Sequence, residues 1–278
     1  MVIDGKAIAS VIKEQVRSEI EKLNDDVYLA VIMVGEDPAS KIYVRNKKKA
    51  CNEVGIHCID IPMPEKTTEA ELIAIVEACN YCPNINGILV QLPLPSHINE
   101  RTIIEAVDPV KDVDGFSYEN IGKLWTGNAC LKPCTPAGII EMLDLCSVDI
   151  AGQTCVIVGR SNIVGKPMAA LMLERDATVI MCHSKTKDLA SFTRQADILI
   201  TAVGKSKFIT ADMVKDGAVV IDVGMNRDEN GKLCGDVDFE NVRHKASLIS
   251  KTPGGTGLTT VAMLMENTLH AAQQMLDK

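Results

Sequence analysis

At 278 residues, with 46% hydrophobic content and only 3% aromatic, the chain can bury one large core or two ordinary ones, and two domains are expected. A net charge of -8, with acidic and basic residues interspersed, argues against nucleic acid as a partner, and no apolar run approaches the roughly 20 residues that a membrane helix needs. Ten cysteines without a basic-then-apolar leader point to reduced thiols in a soluble, cytoplasmic protein.

After Asp4-Gly5, the residues Ile8, Val11, Ile12, Val16 and Ile20 recur at helical spacing and predict an amphipathic helix over 6–23. An apolar run over 28–34 reads as a buried strand. Gly35-Glu36-Asp37-Pro38 breaks it, and Ser40 is placed to cap a helix running to about residue 53. A strand over 57–61, a helix over about 68–79 and a strand over 87–90 continue a β-α alternation that favours a largely parallel sheet. Pro93 and Pro95 force a loop, and a short helix is expected near Arg101. Beyond the turn-rich Lys111-Asp112-Val113-Asp114-Gly115, regular patterning fades through Asn128. The domain change is placed there, dividing the chain into 1–120 and 121–278.

Thr135-Pro136 supplies a cap and an N-terminal proline for a helix running to about residue 146. Strands are expected over 154–158, 178–181, 197–201 and 218–223, with another near 248–250, a spacing that suits the short crossovers of a Rossmann-like sheet. After Pro253-Gly254-Gly255, residues 260–276 read as a long apolar-faced helix able to return to the first domain. The Cys79-x-x-Cys82 pair and the neighbours Cys130 and Cys134 are not followed by a second pair at zinc-site spacing, so no metal is expected.

The first strand of the second half ends in Gly159-Arg160-Ser161-Asn162-Ile163-Val164-Gly165. Strand, glycine turn and helix suit a phosphate at a helix N-terminus. The turn departs from Gly-x-Gly-x-x-Gly, because Ser161 replaces the second glycine and the last glycine comes one residue late. The second strand runs into Cys182-His183-Ser184-Lys185 without the carboxylate that would hold a ribose 2′-hydroxyl, so NADP is expected over NAD. Arg160 and Ser184 are the candidates for its 2′-phosphate.

In the first half, Tyr43 and Lys47 are four apart on a predicted helix and share a face, one offering a stacking surface and the other an amine. Arg45, Lys48 and Lys49 read as solvated charge. Gln91 ends an apolar strand, where it is either a ligand-facing side chain or a polar strand cap. Asp114, before Gly115, fits either an Asx turn or a ligand.

Four stretches now stand together: 34–40 with 43–47, Val90-Gln91-Leu92-Pro93-Leu94-Pro95, Lys111-Asp112-Val113-Asp114-Gly115-Phe116, and Gly159-Arg160-Ser161 with Val164-Gly165-Lys166-Pro167. With Pro133-Cys134-Thr135-Pro136 and His183-Ser184, the chain closely resembles the bifunctional methylenetetrahydrofolate dehydrogenase/cyclohydrolase family, from Asp4-Gly5-Lys6 to Asn267. The resemblance implies two α/β domains flanking a cleft and joined by long helices. Residues 1–120 would form a folate-binding catalytic domain, and 121–278 an NADP-binding, Rossmann-like one. It implies NADP-dependent oxidation of 5,10-methylenetetrahydrofolate, hydrolysis of the methenyl product to 10-formyltetrahydrofolate, and a homodimer. Tyr43, Lys47 and Gln91 would be catalytic. Tyr43, Asp114, Pro253 and Gly255 would meet the folate. Gly159, Arg160, Ser161, Val164, Gly165, His183 and Ser184, with Cys134 and Thr135, would meet the cofactor.

The loop from Ser250 departs from the family's Thr-Pro-Val-Pro-Gly-Gly-Val-Gly-Pro-Met-Thr, reading Ser250-Lys251-Thr252-Pro253-Gly254-Gly255-Thr256-Gly257-Leu258-Thr259-Thr260. This added polarity bears on substrate affinity and on the ratio of the two activities. A shikimate- or amino-acid-dehydrogenase-like enzyme would explain the glycine turn equally well, but would not predict Tyr43, Lys47, Gln91 and Asp114 together. A non-catalytic nucleotide-binding module would bind cofactor without turnover.

Overall fold

The computed structural model describes residues 1–23, 25–128 and 131–276, so Cys130 lies outside it. The chain folds into two compact units, one formed by Met1–Ala9 and Thr135–Thr260, the other by Ser10–Cys134 and Val261–Lys278.

The second of these units is built on alternating helices and parallel strands. Helix α1 (Gly5–Leu23) leads to β1 (Tyr28–Val34), α2 (Pro38–Val54), β2 (His57–Met63), α3 (Glu69–Tyr81) and β3 (Gly87–Val90), then to the short helices α4 (Glu100–Ala106) and α5 (Tyr118–Trp125). The strands pair in the order β2-β1-β3, all parallel, so Val34 and Val90 end on one edge of the sheet. Ile32, Leu72, Ile88 and Ile103 are almost fully buried beneath that edge. Side chains of this size each contribute about 1.5–3 kcal/mol when removed from water.

Helix α2 starts two residues before the expected cap at Ser40. Asp37 is the N-cap, its carboxylate accepting the Ser40 N–H at 2.7 Å, and Pro38 opens the helix with a preset φ and no N–H to satisfy. Thr68 and Glu71 form a reciprocal capping box at α3. Helix α5 falls where patterning fades in the sequence, because eight residues are too few to show a period. It is anchored at its start: Ser117 caps it, and the Asn120 side chain donates to the Pro109 carbonyl at 2.9 Å and to Asp112 at 3.1 Å.

The other unit carries α6 (Cys134–Leu145), β4 (Thr154–Val158), α7 (Gly165–Glu174), β5 (Thr178–Cys182), α8 (Leu189–Thr193), β6 (Ile198–Thr201) and β7 (Val219–Asp222). A small hairpin of β8 (Asn226–Arg227) and β9 (Leu233–Cys234) follows, then α9 (Phe239–Val242), β10 (Leu248–Ile249) and α10 (Thr256–Leu276). Five strands form a parallel sheet in the order β10-β7-β6-β4-β5. The N-terminus extends it by a parallel bridge of Val2 to Ile249. Strands β4, β6 and β7 are buried nearly throughout, which is why they read as continuous apolar runs. The hairpin leaves no mark in the sequence, since two-residue strands carry no alternation. Helix α6 begins at Cys134 rather than at a Thr135 cap, and α10 begins four residues earlier than residue 260. Helices α1, α6 and α10 each contribute residues to both units.

Candidate active site

In the unit holding the three-stranded sheet, α2 presents Tyr43, Lys47 and Cys51 one turn apart. Tyr43 is 37% exposed, leaving a ring face open. Lys47 is half-buried, and its Nζ donates to Gln91 Oε1 at 2.9 Å. Gln91 follows β3, and its main-chain N–H donates to the Ile32 carbonyl at 2.8 Å, continuing the sheet by one residue. Its Nε2 donates to the Leu92 carbonyl at 2.6 Å, which turns Oε1 toward Lys47. The Gln91 side chain is therefore fixed from both ends of its amide, more than a strand cap requires.

The Lys111-Asp112-Val113-Asp114-Gly115 turn lies along the free edge of β3, where the Ile88 N–H donates to the Lys111 carbonyl at 2.8 Å. Two carboxylates of the turn have different duties. Asp112 is buried and accepts from the N–H groups of Gly115 at 3.1 Å and Ser117 at 2.8 Å, so Asp112 is the carboxylate that holds the turn together. The Asp114 carboxylate forms no hydrogen bond among the described residues. Part of the residue reaches solvent, but protein atoms enclose the carboxyl, and this burial pushes its pKa up to about 6. The charge of Lys47 pulls it back down, while Asp112 adds to the rise. Gly115, at φ +69, lets residues 131–133 pass closely, since a Cβ there would lie 2.6 Å from the Leu131 carbonyl oxygen.

Lys111 is a residue whose role the sequence does not disclose. It is 4% exposed, and its Nζ donates to the carbonyls of Cys79 at 3.2 Å, Asn80 at 2.8 Å and Cys82 at 2.7 Å. It thus closes the C-terminal end of α3, where carbonyls lack intrahelical partners. Burial lowers its pKa, against the opposing pull of Cys82, Asp108 and Cys79. Only the positive charge preceding two acidic residues marks it in sequence, and that pattern suggests a surface.

Cys134, expected to meet the cofactor, has its thiol in this unit. It donates to the Val113 carbonyl at 3.2 Å and accepts from Asn267 Nδ2 at 3.5 Å. Burial first, then Asp114, raises its pKa well above that of a free thiol. Thr135 lies in the other unit, with its hydroxyl 3.0 Å from that of Thr260.

The unit holding the five-stranded sheet builds its candidate site from main chain. Gly159 leaves β4 at φ +137, and a Cβ there would strike the Ala202 carbonyl. A Cβ on Gly165 would strike the main chain of Gly159 and Arg160. The turn therefore accepts only hydrogen at both positions. Ser161 takes the place of the second glycine because its Oγ accepts from Val164 at 3.1 Å and Gly165 at 3.3 Å, tying the turn to the start of α7. The N–H groups of 160–163 make no hydrogen bond among the described residues, and Arg160 is exposed beside them. This donor set suits a phosphate.

After β5, the His183 N–H donates to Thr186 Oγ1 at 2.8 Å, and His183 Nδ1 accepts from the Lys185 N–H at 3.2 Å. Ser184 occupies the exposed tip of this turn. The loop after β6 is held by Asp236, which the sequence does not single out. This fully buried carboxylate accepts from the N–H groups of Val203 at 2.6 Å, Gly204 at 3.3 Å and Lys205 at 2.8 Å, and from Asn226 at 2.9 Å. Asp222, at the end of β7, is raised to about 6 by burial, which outweighs the donors it receives from Val237, Asp236 and Gly224.

The polar loop from Ser250 is internally satisfied. Ser250 Oγ accepts the Asp222 N–H at 2.7 Å, Thr256 donates to the Asp222 carbonyl at 3.2 Å, and Thr259 and Thr260 donate to the Thr256 carbonyl at 3.0 and 2.8 Å. Lys251 lies 5.7 Å from the centre of the Phe239 ring. Pro253 is exposed, while Gly255 is buried. A Cβ on Gly5 would stand 2.6 and 2.7 Å from the carbonyls of Gly254 and Gly255.

Two family models match the chain. Residues 3–114 match the tetrahydrofolate dehydrogenase/cyclohydrolase catalytic domain, and residues 133–276 the NAD(P)-binding domain of the same enzymes. The bifunctional protein FolD of Streptococcus thermophilus is 53% identical over 280 residues, covering 99% of each chain. Among solved structures, the bifunctional FolD of Campylobacter jejuni is similar with a TM-score of 0.96 at 46% identity, covering 99% of each chain. The Trypanosoma brucei methylenetetrahydrofolate dehydrogenase-cyclohydrolase, solved with NADP and an inhibitor, is similar with a TM-score of 0.95 at 34% identity, covering 100% of this chain and 99% of that one.

Proposed function

From the premise that this chain belongs to the tetrahydrofolate dehydrogenase/cyclohydrolase family, we propose how its residues divide that family's two reactions. The protein is a bifunctional enzyme. It oxidises 5,10-methylenetetrahydrofolate to the methenyl form with NADP, and hydrolyses that product to 10-formyltetrahydrofolate.

The main-chain turn at Gly159 and Gly165 fits the cofactor, because glycine at both positions lets the chain pack closely where the N–H groups of 160–163, which make no hydrogen bond among the described residues, lead into α7. Arg160 and Ser184 hold the 2′-phosphate, Arg160 by a charge-assisted hydrogen bond. Bound there, NADP would supply the hydride acceptor that oxidation of the one-carbon bridge requires. The protein's part in that step is alignment. Tyr43 offers its open ring face to the folate, and Asp114 accepts hydrogen bonds from the amino edge of the pterin. An unpaired, enclosed carboxylate is suited to that recognition, since a ligand N–H supplies the donor that the protein withholds.

Hydrolysis makes a further demand. A water oxygen must bond to the methenyl carbon while losing a proton; the bond from that carbon to one folate nitrogen must then break, the nitrogen gaining a proton as the hydroxyl on the carbon loses its own to solvent and becomes the formyl C=O. Lys47, whose Nζ donates to Gln91, is the acceptor for the water's proton in this reading. It then returns that proton to the leaving nitrogen. Gln91 holds the amine in place and orients the water.

The observation that carries this reading is the 2.9 Å bond from Lys47 to a Gln91 amide fixed at its other end. Its test is Gln91→Ala, with methenyltetrahydrofolate formation and decay followed separately and NADP binding used to check folding. Both rates are expected to fall. Unchanged rates would remove Gln91 from the mechanism. Pro253 and Gly255 form the folate-side loop in this reading.

The protein is further assigned to the cytosol as a homodimer, by similarity to the family. A sedimenting species of twice the 30.1 kDa chain mass supports the dimer, and one at the chain mass counts against it.

A further inference from the structure

Asp114 owes its place to more than its own turn. The carbonyl of Val113 belongs to the same peptide plane as the Asp114 N–H, so whatever holds that carbonyl sets the direction in which Asp114 leaves the chain. Two side chains hold it. Asn267 Nδ2 on α10 donates to it at 2.8 Å, and the Cys134 thiol donates to it at 3.2 Å. The same Asn267 amide donates to the Lys132 carbonyl at 2.8 Å, and so joins the Val113 peptide to the segment that passes against Gly115. Asn267 is 4% exposed, and it and its three partners, Val113, Lys132 and Cys134, belong to one compact unit.

We infer that Asn267 is a positioning residue for folate recognition, acting through the Val113 peptide on Asp114. The inference rests on the reading of Asp114 as the pterin-binding carboxylate. Asp112 fixes the turn after Asp114, through the N–H groups of Gly115 and Ser117. Asn267 fixes the peptide before it. The carboxylate itself makes no hydrogen bond among the described residues, so its direction rests on these two flanking restraints. Neither Asn267 nor α10 offers a group to the substrate in this scheme.

The experiment is a double-mutant cycle with Asp114→Asn and Asn267→Ala, measuring KM for methylenetetrahydrofolate, KM for NADP and kcat. Asn267→Ala is expected to raise the folate KM roughly tenfold to a hundredfold, as a misplacement of about 1 Å does, and to leave the NADP KM unchanged. In the Asp114→Asn background, the same substitution is expected to raise the folate KM no further. Additive effects on folate KM, or equal rises in both KM values, overturn the inference and leave Asn267 as a general support. If Asp114→Asn alone leaves folate KM unchanged, the reading of Asp114 fails instead, so the two failures are distinguishable. Should Asn267→Ala not fold, Asn267→Ser retains one donor and enters the same cycle. Its expected folate KM lies between those of the wild type and a fully released turn, again only when Asp114 is present.

Discussion

The two sheets present opposite materials at the C-terminal edge of their parallel strands. The three-stranded sheet presents side chains: Lys47 and Gln91, bonded to each other, and Asp114, whose flanking main chain is held by Asn267 and Asp112. The five-stranded sheet presents main chain, with glycines at 159 and 165 and N–H groups over 160–163 that make no hydrogen bond among the described residues, while Asp236 holds the N–H groups of the loop at 203–205. Chemistry that moves a water's proton needs a titratable group. Recognition of a phosphate needs only oriented dipoles and a cation. The first site should therefore fail by loss of function without loss of fold, and the second by loss of shape.

The largest expected effect sharpens the first half of that contrast. Lys47→Met should depress cyclohydrolase activity by about 10²- to 10⁴-fold, the usual worth of general-base assistance, while dehydrogenase activity falls less. Following methenyltetrahydrofolate accumulation and decay separately would show it, and an unchanged ratio of the two rates would withdraw the hydrolytic role. The second half is sharpened by Gly165→Ala. Its methyl meets the main chain of Gly159, and a destabilisation of about 3 kcal/mol with weakened NADP binding is expected, read by thermal melting and cofactor titration.

Lys111→Met would break the contrast if it behaved as a site residue. It leaves three carbonyls of the α3 terminus without their donor, so a loss of about 2 kcal/mol of stability is expected. Both KM values should stay unchanged below the melting transition.

The smallest effect concerns pH. With a pKa of about 6, Asp114 is mostly ionised at pH 7 and mostly protonated at pH 5, so folate KM should rise about tenfold across that interval. In Asp114→Asn the rise should vanish. The same raised pKa means that the folded enzyme binds more protons than the unfolded chain between about 4 and 6. Stability therefore falls as pH rises through that window, and the penalty is complete above it. Denaturant titration should accordingly find Asp114→Asn stabilised relative to wild type at pH 8 and not at pH 4.

Much of this architecture is readable from residue order. Strands β1, β3 and β4 match the apolar runs, because strands buried on both faces leave an unbroken signal. The pairing of Tyr43 with Lys47 follows from helical spacing alone. What residue order hides is held by contacts between residues distant in sequence. Helix α5 depends on Asn120 reaching Pro109 and Asp112, and the end of α3 depends on a lysine 29 to 32 residues away. The division of labour between Asp112 and Asp114 is equally hidden. Both precede Gly115, and only the direction of each carboxylate separates the one that holds the turn from the one that makes no hydrogen bond among the described residues. Ser161 resembles a defect in a glycine motif, whereas its hydroxyl makes the closing bonds of the turn.

Lys111 also sets an order of chemical reactivity. Acylation of an amine requires a free lone pair and room for the reagent, and Lys111 has neither while its three donors remain in the carbonyl cage at the end of α3. Lys47, half-buried with a single amide partner, is reached far earlier. In a timed reaction with acetic anhydride read by peptide mass, position 111 becomes a clock for local opening of the three-stranded unit, advancing only as often as that helix end comes apart.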